Sequence, residues 1–261
     1  MGTISGDRPR WKIIASASID GTIKLWQPDG KLLLNLQNPR AVYSIAWSPD
    51  GKTLISGDGN GKLKFWTREG KLSRSINAHT GNIVSIAFTP NGKFIASRSF
   101  GDQEIKLWNI KTNKLVHRLT GGSVGGVNSL VIDPNGKFLA GYFRMKGDIY
   151  SNGAVRIWGL ETGEVFDTFD VKINRPHAIA FSPVSAASPQ GIGKTLAVGG
   201  FGSEIQIWSM SAPKSKGNFQ VAPSLPYTGH VYSLTFSSDG KTLVSSGADN
   251  GGSVAIWSIG E

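Results

Sequence analysis

The sequence predicts an all-β fold built from repeated four-stranded antiparallel sheets, and three observations predict it. Six segments end in Trp after an alternating run: Thr22-Ile-Lys-Leu-Trp26, Lys62-Leu-Lys-Phe-Trp66, Glu104-Ile-Lys-Leu-Trp108, Ala154-Val-Arg-Ile-Trp158, Glu204-Ile-Gln-Ile-Trp208 and Ser253-Val-Ala-Ile-Trp257. Period two is the signature of a strand and does not fit a helical face. The spacings between these tryptophans are 40, 42, 50, 50 and 49 residues, so one unit recurs along the whole chain. Thirty-four glycines and twelve prolines are spread without a low-complexity tract, as many short strands with tight turns require.

The same pieces surround each Trp. A first strand such as Val42-Tyr-Ser-Ile-Ala-Trp47 leads into the turn Ser48-Pro-Asp-Gly51. A small-residue second strand follows, Thr53-Leu-Ile-Ser-Gly57, then a Gly/Asn/Asp turn and the Trp strand. A further turn, Arg68-Glu-Gly-Lys71, opens a more variable fourth strand, Leu72-Ser-Arg-Ser-Ile76. Pro or Ser early and Gly late suit hairpins that need a left-handed residue. No such unit buries both faces alone, so the units are stable only when stacked around a ring, as a β-propeller.

Read this way, residues 1–261 form a single propeller domain. An N-terminal segment, 1–10, precedes repeats at 11–40, 41–80, 81–120, 121–174, 175–228 and 229–261. Six blades are counted, with the terminal ones incomplete. Nothing like the first strand Val-x-Ser-Ile-Ala-Phe precedes Lys12, and the last repeat has three strands. Residues 2–6 are expected to supply at most a poor fourth strand to that last repeat. The alternative is a truncated seven-blade array, whose open blade edges would favour self-association.

The third repeat carries a more specific pattern: His79-Thr-Gly-Asn-Ile-Val-Ser-Ile-Ala-Phe88, Pro90-Asn-Gly-Lys93, Ile95-Ala-Ser97, Asp102 and Trp108. With its fellows it resembles the WD-repeat (WD40) family over roughly residues 13–259, and is similar to bacterial WD-repeat arrays. The resemblance implies a hydrogen-bonded tetrad of His, Ser, Asp and Trp that pins each blade. His79, Ser97, Asp102 and Trp108 match its places, with one extra residue between Ser97 and Asp102. Ser16, Asp20 and Trp26 match in the first repeat, Ser56, Asn60 and Trp66 in the second, and His230, Ser245, Asp249 and Trp257 in the sixth. The fifth has Gly202 where the Asp belongs, and no repeat has the Trp-Asp dipeptide.

The chemistry of an enzyme is not assembled. Gly121-Gly-Ser-Val-Gly125 fits a nucleophile elbow, but it lies between strands rather than before a helix. Gly191-Ile-Gly-Lys-Thr195 resembles a phosphate loop, yet Gly51-Lys-Thr-Leu54 and Gly240-Lys-Thr-Leu243 show it to be the repeat's own turn. The four histidines lack metal-ligand spacing, and no calcium loop is present. The expectation is a non-enzymatic protein with no cofactor and no metal. The chain has no cysteine, no secretory start and no apolar run long enough for a transmembrane helix, which suits a cytoplasmic protein.

Binding is therefore the function to place. Fourth-to-first and second-to-third connections share one propeller face, and the remaining turns share the other. On that second face, Lys52, Lys93, Lys137, Lys194 and Lys241 close the first-to-second turns. With a net charge of +10, this basic ring could attract nucleic acid or an anionic surface. On the first face, the position before the Ser of Val-x-Ser holds Tyr43, Val84, Asn128, His177 and Tyr232. In the resembled family that place lies at the channel rim and contacts partners. Arg40, Phe100, Arg175 and Phe201 stand in nearby connections, and Tyr150 in an insertion of the fourth repeat. Tyr, Phe and Arg are the residue types of interface hot spots. A scaffold for a protein or peptide partner is the leading expectation, with the lysine ring as the alternative.

Overall fold

The computed structural model describes residues 3–5, 13–101, 104–119, 129–143, 153–183, 195–210, 219–221, 225–248 and 252–259. They divide into two compact units, Met1–Thr120 and Gly121–Glu261.

In the first unit, β1 (Thr3–Ser5), β2 (Ile14–Ala17), β3 (Thr22–Trp26) and β4 (Leu32–Gln37) pair in that order as one antiparallel sheet. A second sheet holds β5 (Val42–Trp47), β6 (Thr53–Asp58), β7 (Lys62–Thr67) and β8 (Leu72–Asn77). The third holds β9 (Ile83–Phe88), β10 (Phe94–Ser99), β11 (Ile105–Asn109) and β12 (Leu115–Leu119). In the second unit, β13 (Leu130–Ile132), β14 (Phe138–Phe143), β15 (Gly153–Gly159) and β16 (Val165–Val171) repeat the arrangement. The rest of that unit is one six-stranded sheet of β17 (Asn174–Phe181), β18 (Thr195–Met210), β19 (Phe219–Val221), β20 (Leu225–Phe236), β21 (Thr242–Ala248) and β22 (Ser253–Ser258).

The fold is the all-β propeller type with four-stranded antiparallel blades, but the described residues form five sheets, not six blades or seven. The reason lies in the backbone between the last two repeats. β20 pairs Leu225 and Pro226 with Ile205 and Glu204 of β18, then continues without a turn to pair Val231–Phe236 with β21. One strand thus serves both repeats. β18 likewise runs unbroken through the place where other repeats have an Asp-Gly or Asn-Gly turn, since Gly202 supplies no carboxylate there.

A second correction concerns the N-terminus. Residues 3–5 are not a fourth strand of the last repeat. Thr3, Ile4 and Ser5 stand opposite Ala17, Ser16 and Ala15, giving the first sheet its first strand. Ile4 opposite Ser16 repeats Ile45 opposite Ser56 and Ile86 opposite Ser97.

Alternation along these strands buries one side chain in two against the adjoining sheet. Ala15, Ile23 and Leu25 share a core with Val42, Ile45, Leu54 and Trp66, and Ile55, Leu63 and Phe65 with Ile83, Ile86 and Trp108. Val155 and Ile157 meet Ile179, Phe181 and Trp208 in the same manner. Although they share a sheet, repeats five and six also pack like separate blades: Ile205 and Ile207 join Val231 and Leu234. A Cβ on Gly199 would come within 2.7 Å of Val231, as one on Gly57 would come within 2.5 Å of Ile83.

The Trp strand also fixes the connection before it. Lys64 Nζ donates to Asn38 Oδ1, Lys106 Nζ donates to the Ala78 carbonyl at 2.9 Å, and Gln206 Oε1 accepts from the Lys172 N–H at 3.3 Å. These three side chains occupy one repeat position, two residues before Trp.

Candidate protein-docking site

One position of the first strand has a common backbone form in four repeats. Register in the first strands shifts across Tyr43, between Val42 and Ser44, and across Val84, between Ile83 and Ser85. It shifts across His177, between Pro176 and Ala178, and across Tyr232, between Val231 and Ser233. Each is the extra residue of a β-bulge. A bulge removes its residue from the ladder, bends the strand and re-aims the side chain. This repeat position, written Val-x-Ser at Tyr43 and Tyr232, therefore marks a shift in the register of the first strand.

In the first unit the bulge lies beside the turns expected to share its face. The Asn38 N–H donates to the Gly21 carbonyl, those of Ala78 and His79 to the Gly61 carbonyl, and that of Gly59 to the Ala41 carbonyl. A Cβ on Gly59 would lie 3.5 Å from Tyr43 Cε2 and 3.6 Å from Asn82 Oδ1. The Phe100 N–H donates to the Asn82 carbonyl at 3.1 Å, and its ring is 44% exposed. Tyr43, Gly59, Asn82 and Phe100 therefore follow one another along this surface. Arg40 is exposed nearby, its carbonyl accepting from Asn38 Nδ2 at 2.6 Å.

In the second unit the structure gathers His177, Phe201 and Tyr232, and adds His230. Ring centroids of Phe201 and His230 are 3.9 Å apart, those of His177 and Phe201 4.9 Å, and those of His177 and Tyr232 5.8 Å. Phe201 and Tyr232 meet edge to face at 6.4 Å, and Tyr232 is 37% exposed. An edge-to-face pair such as Phe201 and Tyr232 adds roughly 0.5–1.5 kcal/mol beyond the area buried. β17, β18 and β20 supply one or two rings each, so a rigid sheet holds the group. His230 follows a Gly in the first-strand connection, where the sequence offers only a tetrad role. Its arrival beside Phe201 comes from the pairing of these two residues across β18 and β20.

The tetrad positions are occupied as follows. Trp108 Nε1 donates to Ser97 Oγ at 3.0 Å, and His79 Nε2 lies 2.8 Å from the same oxygen. Trp26, Trp66 and Trp257 donate to Ser16, Ser56 and Ser245 at 2.9, 2.8 and 2.9 Å. Asp20 accepts from the Thr22 N–H and hydroxyl, and the first of these chiefly holds its carboxyl below the usual range. Asp102, Asp249, Tyr150, Asn128 and Lys194 lie outside the described residues, as does the side chain of Arg175.

Lys52, Lys93, Lys137 and Lys241 are exposed on their turns. Each follows an Asp or Asn that holds the turn: Asp50, Asn91 and Asp239 accept the N–H of Lys52, Lys93 and Lys241, and Asp133 that of Lys137. Three of the four lysines thus sit beside a carboxylate of their own turn, which weakens any shared positive field. Among the described residues no group of three or more metal-binding side chains occurs, and there is no helix long and apolar enough to cross a membrane.

A family model described as WD domain, G-beta repeat, matches residues 5–27, 30–67, 70–109, 113–159 and 222–258. It leaves 160–221 unmatched, the stretch that holds Val198, Gly202 and Trp208. The chain is 26% identical to the transcriptional corepressor LEUNIG_HOMOLOG of Arabidopsis thaliana over 257 residues, 96% of this chain and 29% of that protein. It is 24% identical to Protein hir1 of Aspergillus terreus over 246 residues, 84% of this chain and 22% of the other. With the SIR4-interacting protein SIF2 of Saccharomyces cerevisiae it shares 30% identity over 117 residues, 43% of this chain and 21% of that protein. It spans less than a third of each.

Proposed function

Because the chain belongs to the WD40 family, whose propellers generally mediate protein interactions, we propose that it is a non-enzymatic scaffold docking a protein or peptide. The docking residues are the bulged side chains of the first strands and the aromatics beside them. The observation that carries this reading is the register shift at Tyr43 in the first unit and at His177 and Tyr232 in the second, with Tyr232 and Phe201 in a ring cluster of the second unit. Aromatic side chains give much contact area for little lost rotamer freedom, which suits recognition of a protein surface. Two relatives, a transcriptional corepressor and a SIR4-interacting protein, support an interaction role.

The test compares the tagged wild-type chain with a Tyr43→Ala/His177→Ala/Tyr232→Ala variant, each captured from native extract at low and high salt. The expected result is a partner that persists in high salt and is lost from the variant, while circular dichroism and the melting curve stay unchanged. Retention of every interaction by a folded variant would overturn the reading.

A further inference from the structure

Asn-Gly pairs occur in the sequence at Asn60, Asn91, Asn135, Asn152 and Asn250. Asn is a thermolabile residue, and before Gly it is most open to attack, because no Cβ shields the following main-chain nitrogen. The Asn of the last two pairs lies outside the described residues. The other three are exposed in tight turns: Asn60 between β6 and β7, Asn91 between β9 and β10, and Asn135 between β13 and β14.

Their surroundings differ. Asn91 Oδ1 accepts from the Thr89 hydroxyl at 2.7 Å and from the Lys93 N–H at 2.9 Å, and the Gly92 N–H donates to the Thr89 carbonyl at 2.8 Å. The amide carbon and the nitrogen that would attack it are thus each held in place. The Asn60 side-chain amide makes no hydrogen bond among the described residues. The Gly61 N–H reaches the Asp58 carbonyl at 3.2 Å, the longest of the three equivalent bonds. Asn135 is intermediate: its side-chain amide is also unbonded among the described residues, but the Gly136 N–H donates to the Asp133 carbonyl at 2.9 Å.

We propose that Asn60 is a site of spontaneous deamidation, with water as the co-reactant, and that it reacts ahead of Asn135 and Asn91. The Gly61 nitrogen loses its proton and bonds to Asn60 Cγ, the side-chain nitrogen leaves as ammonia, and a cyclic imide remains. Such intramolecular attack is fast only where both atoms are free to reach a near-attack geometry. Water then opens the imide. Addition at Cγ restores the original main chain with an aspartate side chain, and addition at the main-chain carbonyl carbon routes the chain through Cγ as an isoaspartyl link.

The two products differ in effect. An aspartate is what the first repeat carries at Asp20, before Gly21, so the turn accepts it. The isoaspartyl link displaces Gly61, whose carbonyl accepts the N–H groups of Ala78 and His79 at 2.9 Å, and so loosens the entry to β9. Each product places a new negative charge next to Gly59, the residue beside Tyr43. The chemistry itself is independent of the docking reading.

The test incubates the wild-type chain in mildly alkaline buffer, native and in urea, and follows each Asn-Gly peptide by digestion and mass spectrometry. Isoaspartate is recognised by resistance to cleavage at aspartate. In urea the three pairs are expected to convert at similar rates. In the native chain Asn60 should lead Asn91 by roughly tenfold or more, the cost of breaking the hydrogen bonds that hold the latter. The melting temperature of the native wild type is expected to fall during incubation, while that of Asn60→Ser, which cannot form the imide, holds. The proposal is overturned if native Asn60 stays an amide while it converts in urea. It is equally overturned if native Asn91 or Asn135 converts as fast as Asn60, or if Asn60→Ser loses stability as quickly as the wild type.

Discussion

Val198 stands opposite Ile179 at the register that Ser56 holds opposite Ile45, and ten residues before Trp208, as Ser56 stands ten before Trp66. Trp66 donates its indole N–H to Ser56. The Trp208 indole nitrogen is buried with no hydrogen-bond partner among the described residues. The fifth repeat keeps its Trp for packing, in the core with Val171, Ile179 and Leu196, and has lost the polar pin.

Restoring that pin is expected to stabilise the protein. Val198→Thr preserves side-chain volume and offers Trp208 an acceptor, a gain of about 1 kcal/mol. Differential scanning calorimetry should show the melting temperature of the unit raised by roughly 3 °C. Val198→Ala, which supplies no acceptor and leaves a void, is expected to lower it.

Asp133 gives a pH-dependent counterpart. It is fully buried at the turn position occupied by Ser48, Thr89, Ser182 and Ser237, and like them accepts the N–H of the following strand's first residues. Burial raises its carboxyl above the ordinary 3.8, with the N–H groups of Phe138, Asn135 and Lys137 opposing. A carboxyl raised on folding binds its proton more tightly in the native state, so its charge destabilises above the folded value and costs nothing below the unfolded one. Asp133→Ser should therefore raise the urea midpoint at pH 7, and the difference from wild type should shrink as pH falls toward 3.8.

Two glycines separate backbone strain from collision. Gly30 has φ of 89° with nothing near a notional Cβ, whereas Gly61 has φ of 74° and its Cβ would lie 1.9 Å from the His79 carbonyl oxygen. Gly30→Ala is expected to cost about 1 kcal/mol, the left-handed penalty alone. Gly61→Ala should cost more than about 3 kcal/mol, because the connection before β9 must move as well. Chemical denaturation of the two variants side by side measures the difference.

Charge reversal on the turns should do little. Lys52→Glu, Lys93→Glu and Lys241→Glu alter exposed side chains beside their own turn carboxylates or amides, so each is expected to change stability by less than about 0.5 kcal/mol. Partner capture by the triple-reversal chain should match wild type at both salt concentrations.

Much of this was legible in the sequence because it depends on period-two burial. The Trp spacing located the Trp strands, and Val-x-Ser located Tyr43 and Tyr232, with His177 following only from its place in the repeat. The merger of two repeats was not legible. It depends on whether Leu225–Phe236 bends near Gly229, and local composition does not decide that against the pairing of both halves. Thr3–Ser5 lacked the length and apolar pattern that identify a first strand, and only register with Ala15–Ala17 reveals it. His230 matched a tetrad motif well, so its place beside Phe201 could come only from tertiary pairing.

β20 has a consequence for how the molecule comes apart. Its twelve residues run unbroken from the outer edge of one repeat, Leu225–His230, into the inner edge of the next, His230–Phe236, so opening one edge strains the other. Blades joined by flexible connections can fray one at a time, as weakly coupled elements of a linear array. Here the two should behave as one cooperative foldon, with the paired amides of Val231–Phe236 exchanging together with those of β18 at a shared free energy of opening.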